Sequence, residues 1–179
     1  MDGTLRRRNK WARPSLRARA RPPKHRSPLG QAFSAVNLAA ALMLQKCLAC
    51  GRERYPSTEI CGHCLSGDWL FAPVSGAGTL LATSALQHSL WEYFKRRILK
   101  QPWLICSVRL DSGPTVIAHL GDTSLSAGDR VEVFSHRDVS LSAVMIAVAE
   151  SEGLVQAERS ACVSRLGLDE PAHREGGLQ

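Results

Sequence analysis

Apolar and polar positions change rhythm along this chain. In "GQAFSAVNLAAALML", which begins at Gly30, apolar residues fall at Phe33, Val36, Leu38, Ala39, Leu42 and Met43, with alanines between. That spacing predicts a short helix that gives way to a strand at Leu42–Lys46. From Gly78 to about Glu150 the sequence reads instead as strands. "GTLLATSALQHS" and "PWLICSVRLDSGPTVIAHL" are β-rich, and "DSGP" places a hairpin turn between Leu110 and Thr115. In "SAGDRVEVFSHRDV" a turn precedes Val131 and Val133, with Glu132 and Phe134 at the intervening positions. "SLSAVMIAVAE" supplies a last strand. One stretch breaks the β pattern: "WEYFKRRILKQ" sets Trp91, Phe94, Ile98 and Leu99 at helical spacing beside Lys95, Arg96, Arg97 and Lys100.

About five short strands in some seventy residues, with one longer connection, predict a small closed barrel of the OB type. Closure matters because it removes the open strand edges that invite association. Pro73, Gly76 and Gly78 punctuate the passage into this barrel. Beyond Glu150 the chain is polar and contains glycine, which predicts a flexible tail over residues 151–179.

Charge divides the chain differently. The whole carries a formal +7, which first suggests nucleic acid or an anionic surface. Residues 1–30 alone hold eight Arg and two Lys against one Asp. The remainder is left with 13 basic and 15 acidic residues, so the body is not basic. Residues 1–30 are rich in Arg and Pro and poor in aliphatics, and so are predicted to be a disordered basic leader. A solvated tail, an over-extended start, a nucleic-acid or membrane contact and an organelle address are all open readings of it. The longest apolar stretch, "AVNLAAALML", is too short for a membrane span and is not followed by a small-residue cleavage site. A cytoplasmic location with reduced thiols is the expectation.

The sharpest chemistry lies in "CLACGRERYPSTEICGHC", residues 47–64, where four of the chain's six cysteines form two Cys-x-x-Cys pairs. Two residues between paired cysteines let one tight turn aim both sulfurs at a single ion, and a second such turn completes a tetrahedral shell. Gly51, Gly62 and Gly67 permit the turns, and Pro56 lies near the bend of the intervening hairpin. Cys47, Cys50, Cys61 and Cys64 are therefore the predicted ligands of one structural zinc. A thioredoxin-type site needs one such pair at a helix start, and disulfides need an oxidising compartment. Four thiolates leave no coordination position for water, which argues against a catalytic zinc. His63, inside the second pair, is expected to be an exposed neighbour. Cys106 lies in the alternating "WLICSVRL" and is expected to be buried, while Cys162 lies in the polar tail.

The resulting order is residues 31–72 as helix and rubredoxin-like zinc ribbon, residues 73–150 as OB-fold barrel, and little else ordered. In the motifs "LMLQKCLACG", "YPSTEICGHC", "SGAGTL", "PWLICSVRLDSGPTVIAHL" and "LSAGDRVEVF" the chain resembles the OB-fold, acyl-CoA-associated zinc-ribbon family. The resemblance covers roughly residues 31–140. It implies a mainly β, non-catalytic partner of enzymes acting on acyl-CoA thioesters. Those enzymes are thiolase-like condensing or aldol-cleaving enzymes and hot-dog-fold hydratases, and acyl-CoA can lie at the shared interface. Members commonly carry Arg between the two joint glycines, where this chain has Ala77.

On this reading Trp91, Phe94, Lys95, Arg96 and Arg97 are candidates for contact with the partner or with CoA phosphates. The competing reading is a module for single-stranded nucleic acid, since OB barrels stack bases on aromatics in a positive groove. It is disfavoured because the strands carry few aromatics and the body is not basic. An enzyme is disfavoured too: His88, His119, His136, Asp111, Asp122 and Asp129 show no triad or paired-carboxylate spacing.

Overall fold

A computed structural model describes residues 27–37, 41–88, 98, 102–138, 142–151 and 156–168. Helix α1 (Pro28–Val36) starts earlier than the leader boundary predicted. Ser27 caps it by accepting from the Gly30 N–H at 3.1 Å, and Pro28 sits at the first turn, where its missing N–H costs nothing. Strands β1 (Leu42–Cys47), β2 (Glu53–Arg54) and β3 (Trp69–Val74) form an antiparallel sheet in the order β2-β1-β3. β1 pairs with β3 along its whole length, from Leu42↔Val74 to Cys47↔Trp69. β2 covers only Gln45 and Lys46 on the other edge.

Strands β4 (Ala77–Leu86), β5 (Trp103–Leu110), β6 (Thr115–Leu120), β7 (Arg130–Arg137) and β8 (Ala143–Ala149) close into a barrel ordered β4-β5-β6-β8-β7. Each expected strand is present, and "DSGP" makes the β5–β6 turn with Gly113 at φ 115°. β7 closes on Ala77–Thr79 of β4, and β6 meets β8 in a short parallel pair. A register shift between Leu80 and Ala82 bends β4, so one strand serves both β5 and β7.

Ribbon and barrel share a core. Leu42 and Leu44 of β1 lie in one buried cluster with Leu80, Val108, Val116, Val131 and Ala147 of the barrel. The joint between them depends on Gly76: a Cβ there would lie 1.9 Å from the Val133 carbonyl oxygen, which is backbone and has no room to yield. The Val133 N–H in turn donates to the Gly76 carbonyl at 2.8 Å.

The polar tail departs from expectation. Residues 156–165, placed in a flexible tail by composition, form helix α2 (Gln156–Arg165). Its C-terminus is closed as a Schellman motif: Leu168 N–H donates to Val163 O at 3.2 Å and Gly167 N–H to Ser164 O at 2.9 Å, with Gly167 at φ 63°. Cys162, Val163 and Leu168 are buried against Phe134, Ile146 and Val148 on the outer wall of β7 and β8. β8 is consequently apolar on both faces, with Met145 and Ala147 in the barrel core and Ile146 and Val148 beneath the helix. The few apolar residues of the tail are spaced to meet a wall that supplies most of the apolar surface. Among the described residues no helix is long and apolar enough to cross a membrane.

Candidate metal centre

β1 ends at Cys47, and the chain turns at once through Cys50: the Gly51 N–H donates to Cys47 O at 2.9 Å and the Cys47 N–H to Arg52 O at 2.9 Å. The second knuckle repeats this arrangement. The Leu65 N–H donates to Cys61 O at 2.8 Å and the Cys61 N–H to Ser66 O at 2.9 Å. The residue after the second cysteine takes positive φ in each, Gly51 at 72° and Leu65 at 62°. Glycine adopts that region freely and leucine does not, so the second knuckle holds its turn against local preference. The Leu48 N–H donates to Asp68 O at 3.0 Å, which ties the first knuckle to the start of β3.

The hairpin between the knuckles is pinned from within the sheet. Gln45, fully buried on β1, accepts from the Thr58 N–H at 2.9 Å. The Arg54 guanidinium donates to the Thr58 hydroxyl at 3.2 Å, and that hydroxyl donates to Ile60 O at 2.8 Å. Sequence reading missed this support. A polar residue at a position due to be buried, Gln45, is the signal that would have found it.

The four sulfurs converge, all within 4.8 Å of one another. Cys47 Sγ lies 3.6 Å from Cys64 Sγ, and Cys50 Sγ 3.7 Å from Cys61 Sγ. Zinc–sulfur bonds of about 2.3 Å in a tetrahedron place sulfurs about 3.8 Å apart, so the spacing fits the ion. The donor chemistry fits as well. Backbone N–H groups of Cys50 and Ala49 point at Cys47 and lower its pKa. Those of Cys64 and His63 point at Cys61 and hold it down to about 6. At Cys64 the Ser66 N–H acts in the same sense, but burial and the neighbouring thiols of Cys47, Cys50 and Cys61 outweigh it and push the group up. Four thiolates cannot share this space alone, and a divalent cation removes the conflict. The cysteines are positioned to bind one metal ion and close its shell.

The other predicted residues do not assemble into a site. Among the described residues, the four cysteines are the one group of three or more His, Cys, Asp or Glu side chains close enough to share an ion. Asp111 pairs with Arg130, Asp122 accepts from the Ser124 N–H and hydroxyl, and Asp129 accepts from the Ser126 N–H. His119 packs edge-on against Trp103, with ring centroids 5.2 Å apart. His63 is exposed, as expected. Cys106 is buried, donates to Ala118 O, and has its thiol pushed up to about 11 by burial. Cys162 is also buried, on α2. Trp91, Phe94, Lys95, Arg96 and Arg97 lie outside the described residues. Of their segment only Ile98 is described, helical and buried.

Comparison with known proteins matches residues 41–69 to the ChsH2 rubredoxin-like zinc ribbon domain. Over 92 residues the chain is 27% identical to a protein of Thermomonospora curvata named "Probable enoyl-CoA hydratase alpha subunit". That alignment takes in 51% of this chain and 26% of the relative, so the chain spans about a quarter of the curated relative it matches. Among solved structures, one titled "Ltp2-ChsH2(DUF35) aldolase" superposes with a TM-score of 0.51 at 20% identity, over 66% of this chain and 89% of that one. It establishes a common fold. A DUF35 family protein of unknown function from Sulfolobus solfataricus aligns over 72% of this chain and 90% of its own at 15% identity, with a TM-score of 0.44.

Proposed function

We propose that this chain, a ChsH2-type rubredoxin-like zinc ribbon seated on an OB-like barrel, is a non-catalytic accessory subunit of an acyl-CoA-processing enzyme. The observation that carries the reading is the closed metal centre within the ribbon match. Four thiolates use every position on the ion, so zinc there builds shape and activates no water. Asp111, Asp122 and Asp129 are taken up by an ion pair and turn caps, His119 packs against Trp103, and among the described residues no second cluster gathers, so on this reading chemistry falls to another polypeptide. The hydratase and aldolase named among the relatives point to the class of that polypeptide. It is a hot-dog hydratase or a thiolase-like enzyme, and the barrel helps shape its acyl-CoA site. Trp91, Phe94, Lys95, Arg96 and Arg97 are the contact residues this function would use. The cytoplasm, where thiols stay reduced, is the compartment that suits four cysteines kept free of disulfides.

Affinity purification from the native host, with mass spectrometry of what is retained, tests this directly. A thiolase-like enzyme or an acyl-CoA hydratase is expected in stoichiometric amount. If no acyl-CoA enzyme is retained, and salt-sensitive single-stranded nucleic-acid binding survives removal of residues 1–26, the barrel is a nucleic-acid module instead.

A further inference from the structure

Of the chain's six cysteines, only Cys64 is exposed. Cys47, Cys61, Cys106 and Cys162 are 1%, 1%, 3% and 4% exposed, and Cys50 is half-buried. The two knuckles are therefore unequal, although their backbone bonds match. Cys47 is the last residue of β1, a strand rooted in the barrel core through Leu42 and Leu44. Cys64 stands instead on a surface turn. Gly62, His63, Leu65 and Gly67 around it are all exposed, and a Cβ at either glycine would meet nothing within 4 Å. The turn is also strained. Leu65 follows Cys64 at φ 62° and is 77% exposed, so packing offsets neither its left-handed backbone nor its apolar side chain. The matching place in the first knuckle is Gly51, which takes φ 72° without strain. A backbone strained in this way persists while its surroundings hold it, and ligation by Cys64 is the adjoining constraint. Release of Cys64 relaxes its turn, whereas release of Cys50 relieves nothing.

We propose that Cys64 is an oxidation site at which a hydroperoxide such as hydrogen peroxide opens the zinc centre reversibly. The zinc is that of the four-cysteine centre described above, and the site does not depend on the accessory function. The Cys64 thiolate attacks one peroxide oxygen and the O–O bond breaks, leaving a sulfenic acid and releasing hydroxide. Cys47 Sγ, 3.6 Å away, is the thiolate placed to attack that sulfur. An S–S bond forms as the S–O bond breaks, and a second hydroxide leaves. Two thiolates have then given up two electrons, and one peroxide has been reduced. Bonded sulfurs lie about 2 Å apart, and the surface turn, not β1, supplies the movement. Cys50 and Cys61, 3.7 Å apart, are the two donors left, too few to keep the ion, and a second peroxide joins them in the same way. A dithiol reductant reverses each step: its own sulfurs become a disulfide as the protein's pair is reduced, and the four thiolates rebind zinc.

The test uses the full wild-type chain carrying zinc, treated stepwise with hydrogen peroxide. A chromogenic zinc indicator should register release of most of the metal with the first equivalent. Thiols are then alkylated and the protein is mapped by mass spectrometry without reduction. Cys47 should be joined to Cys64 before Cys50 is joined to Cys61, with Cys106 and Cys162 still thiols. Dithiothreitol with added zinc should restore both the metal content and the hydrogen-exchange protection of residues 48–68. Zinc retained through several equivalents of peroxide would overturn the proposal. So would first oxidation at Cys50 or at a buried thiol, a first disulfide that leaves out Cys64, or zinc loss that the reductant and added zinc fail to reverse. A chain that holds no zinc as purified removes the metal assignment and the proposal with it, while the accessory reading is still decided by what co-purifies.

Discussion

Asn37 holds both backbone polar groups of Met43. Its Oδ1 accepts from the Met43 N–H at 2.8 Å, while its Nδ2 donates to Met43 O and to Phe33 O, each at 3.0 Å. The side chain thus acts as one more strand residue on the edge of β1 where β2 does not reach, and it fastens the end of α1 to the sheet. Asn37 is fully buried, so water cannot stand in for it. Asn37→Ala should cost about 2 kcal/mol, because the Met43 N–H and carbonyl lose their partner together, while the Phe33 carbonyl keeps the residue-37 backbone N–H. Asn37→Asp should be no better, since a carboxylate cannot donate to Met43 O or Phe33 O. Urea denaturation of the three proteins, compared at equal m-value, measures the difference.

One zinc per chain is expected by elemental analysis, and Cys61→Ser should abolish it. Small ribbons draw their folding energy from the metal. Residues 48–68 should lose hydrogen-exchange protection in the variant, while Leu42 and Leu44 keep theirs within the shared core. A strong chelator should reproduce this pattern in the wild type.

Gly76→Ala should destabilise the protein by about 3 kcal/mol or more, since the new methyl meets the Val133 backbone with nothing soft to move. Gly67→Ala serves as the control, because a Cβ there meets nothing within 4 Å, and its effect should stay within about 0.5 kcal/mol. Melting temperatures of the pair at equal zinc content separate the two.

Arg130 grips Asp111 at 2.8 and 2.7 Å and Glu150 at 3.1 and 3.0 Å, joining the β5–β6 turn to the ends of β7 and β8. The guanidinium holds the Asp111 carboxyl below its ordinary pKa, chiefly through these hydrogen bonds. A carboxyl depressed in the folded state contributes stability above its unfolded pKa of about 3.9 and loses that contribution as pH falls toward the folded value. Asp111→Asn should therefore lower the melting temperature slightly at pH 7, and the gap to wild type should close below about pH 4. Added salt should narrow the gap at pH 7, because the pair is largely exposed.

The parts legible in the sequence are those that obey local rules. The alternation around Val131 and Val133, the "DSGP" turn and the paired Cys-x-x-Cys spacing each depend on a few neighbouring residues. What escaped depends on partners distant in sequence. α2 is polar over most of its surface, and its packed side shows only as Cys162 and Val163, with Leu166 and Leu168 just beyond its end, which a composition reading averages away. "RLGL" was the better cue, a glycine closing a helix and followed by an apolar residue that folds back. Asn37 interrupts the apolar run "AVNLAAALML", and nothing nearby in sequence reveals that it substitutes for a missing strand. Gly76 read as punctuation between two modules, and the sequence does not show that two backbones press together there.

The core that Leu42 and Leu44 share with the barrel has a mechanical consequence. A strand rooted at one end among barrel residues and ending at the other in Cys47 behaves as a bracket, with no hinge between the metal centre and the barrel. Anything that touches both ends meets two contact points at a fixed separation and angle. The second contact then forms without a fresh search and with little ordering to impose, so two individually weak patches can act as one strong one. Stripping the metal would leave the root of the bracket in place while loosening its tip, and that coupled gain is what any such two-point contact would lose first.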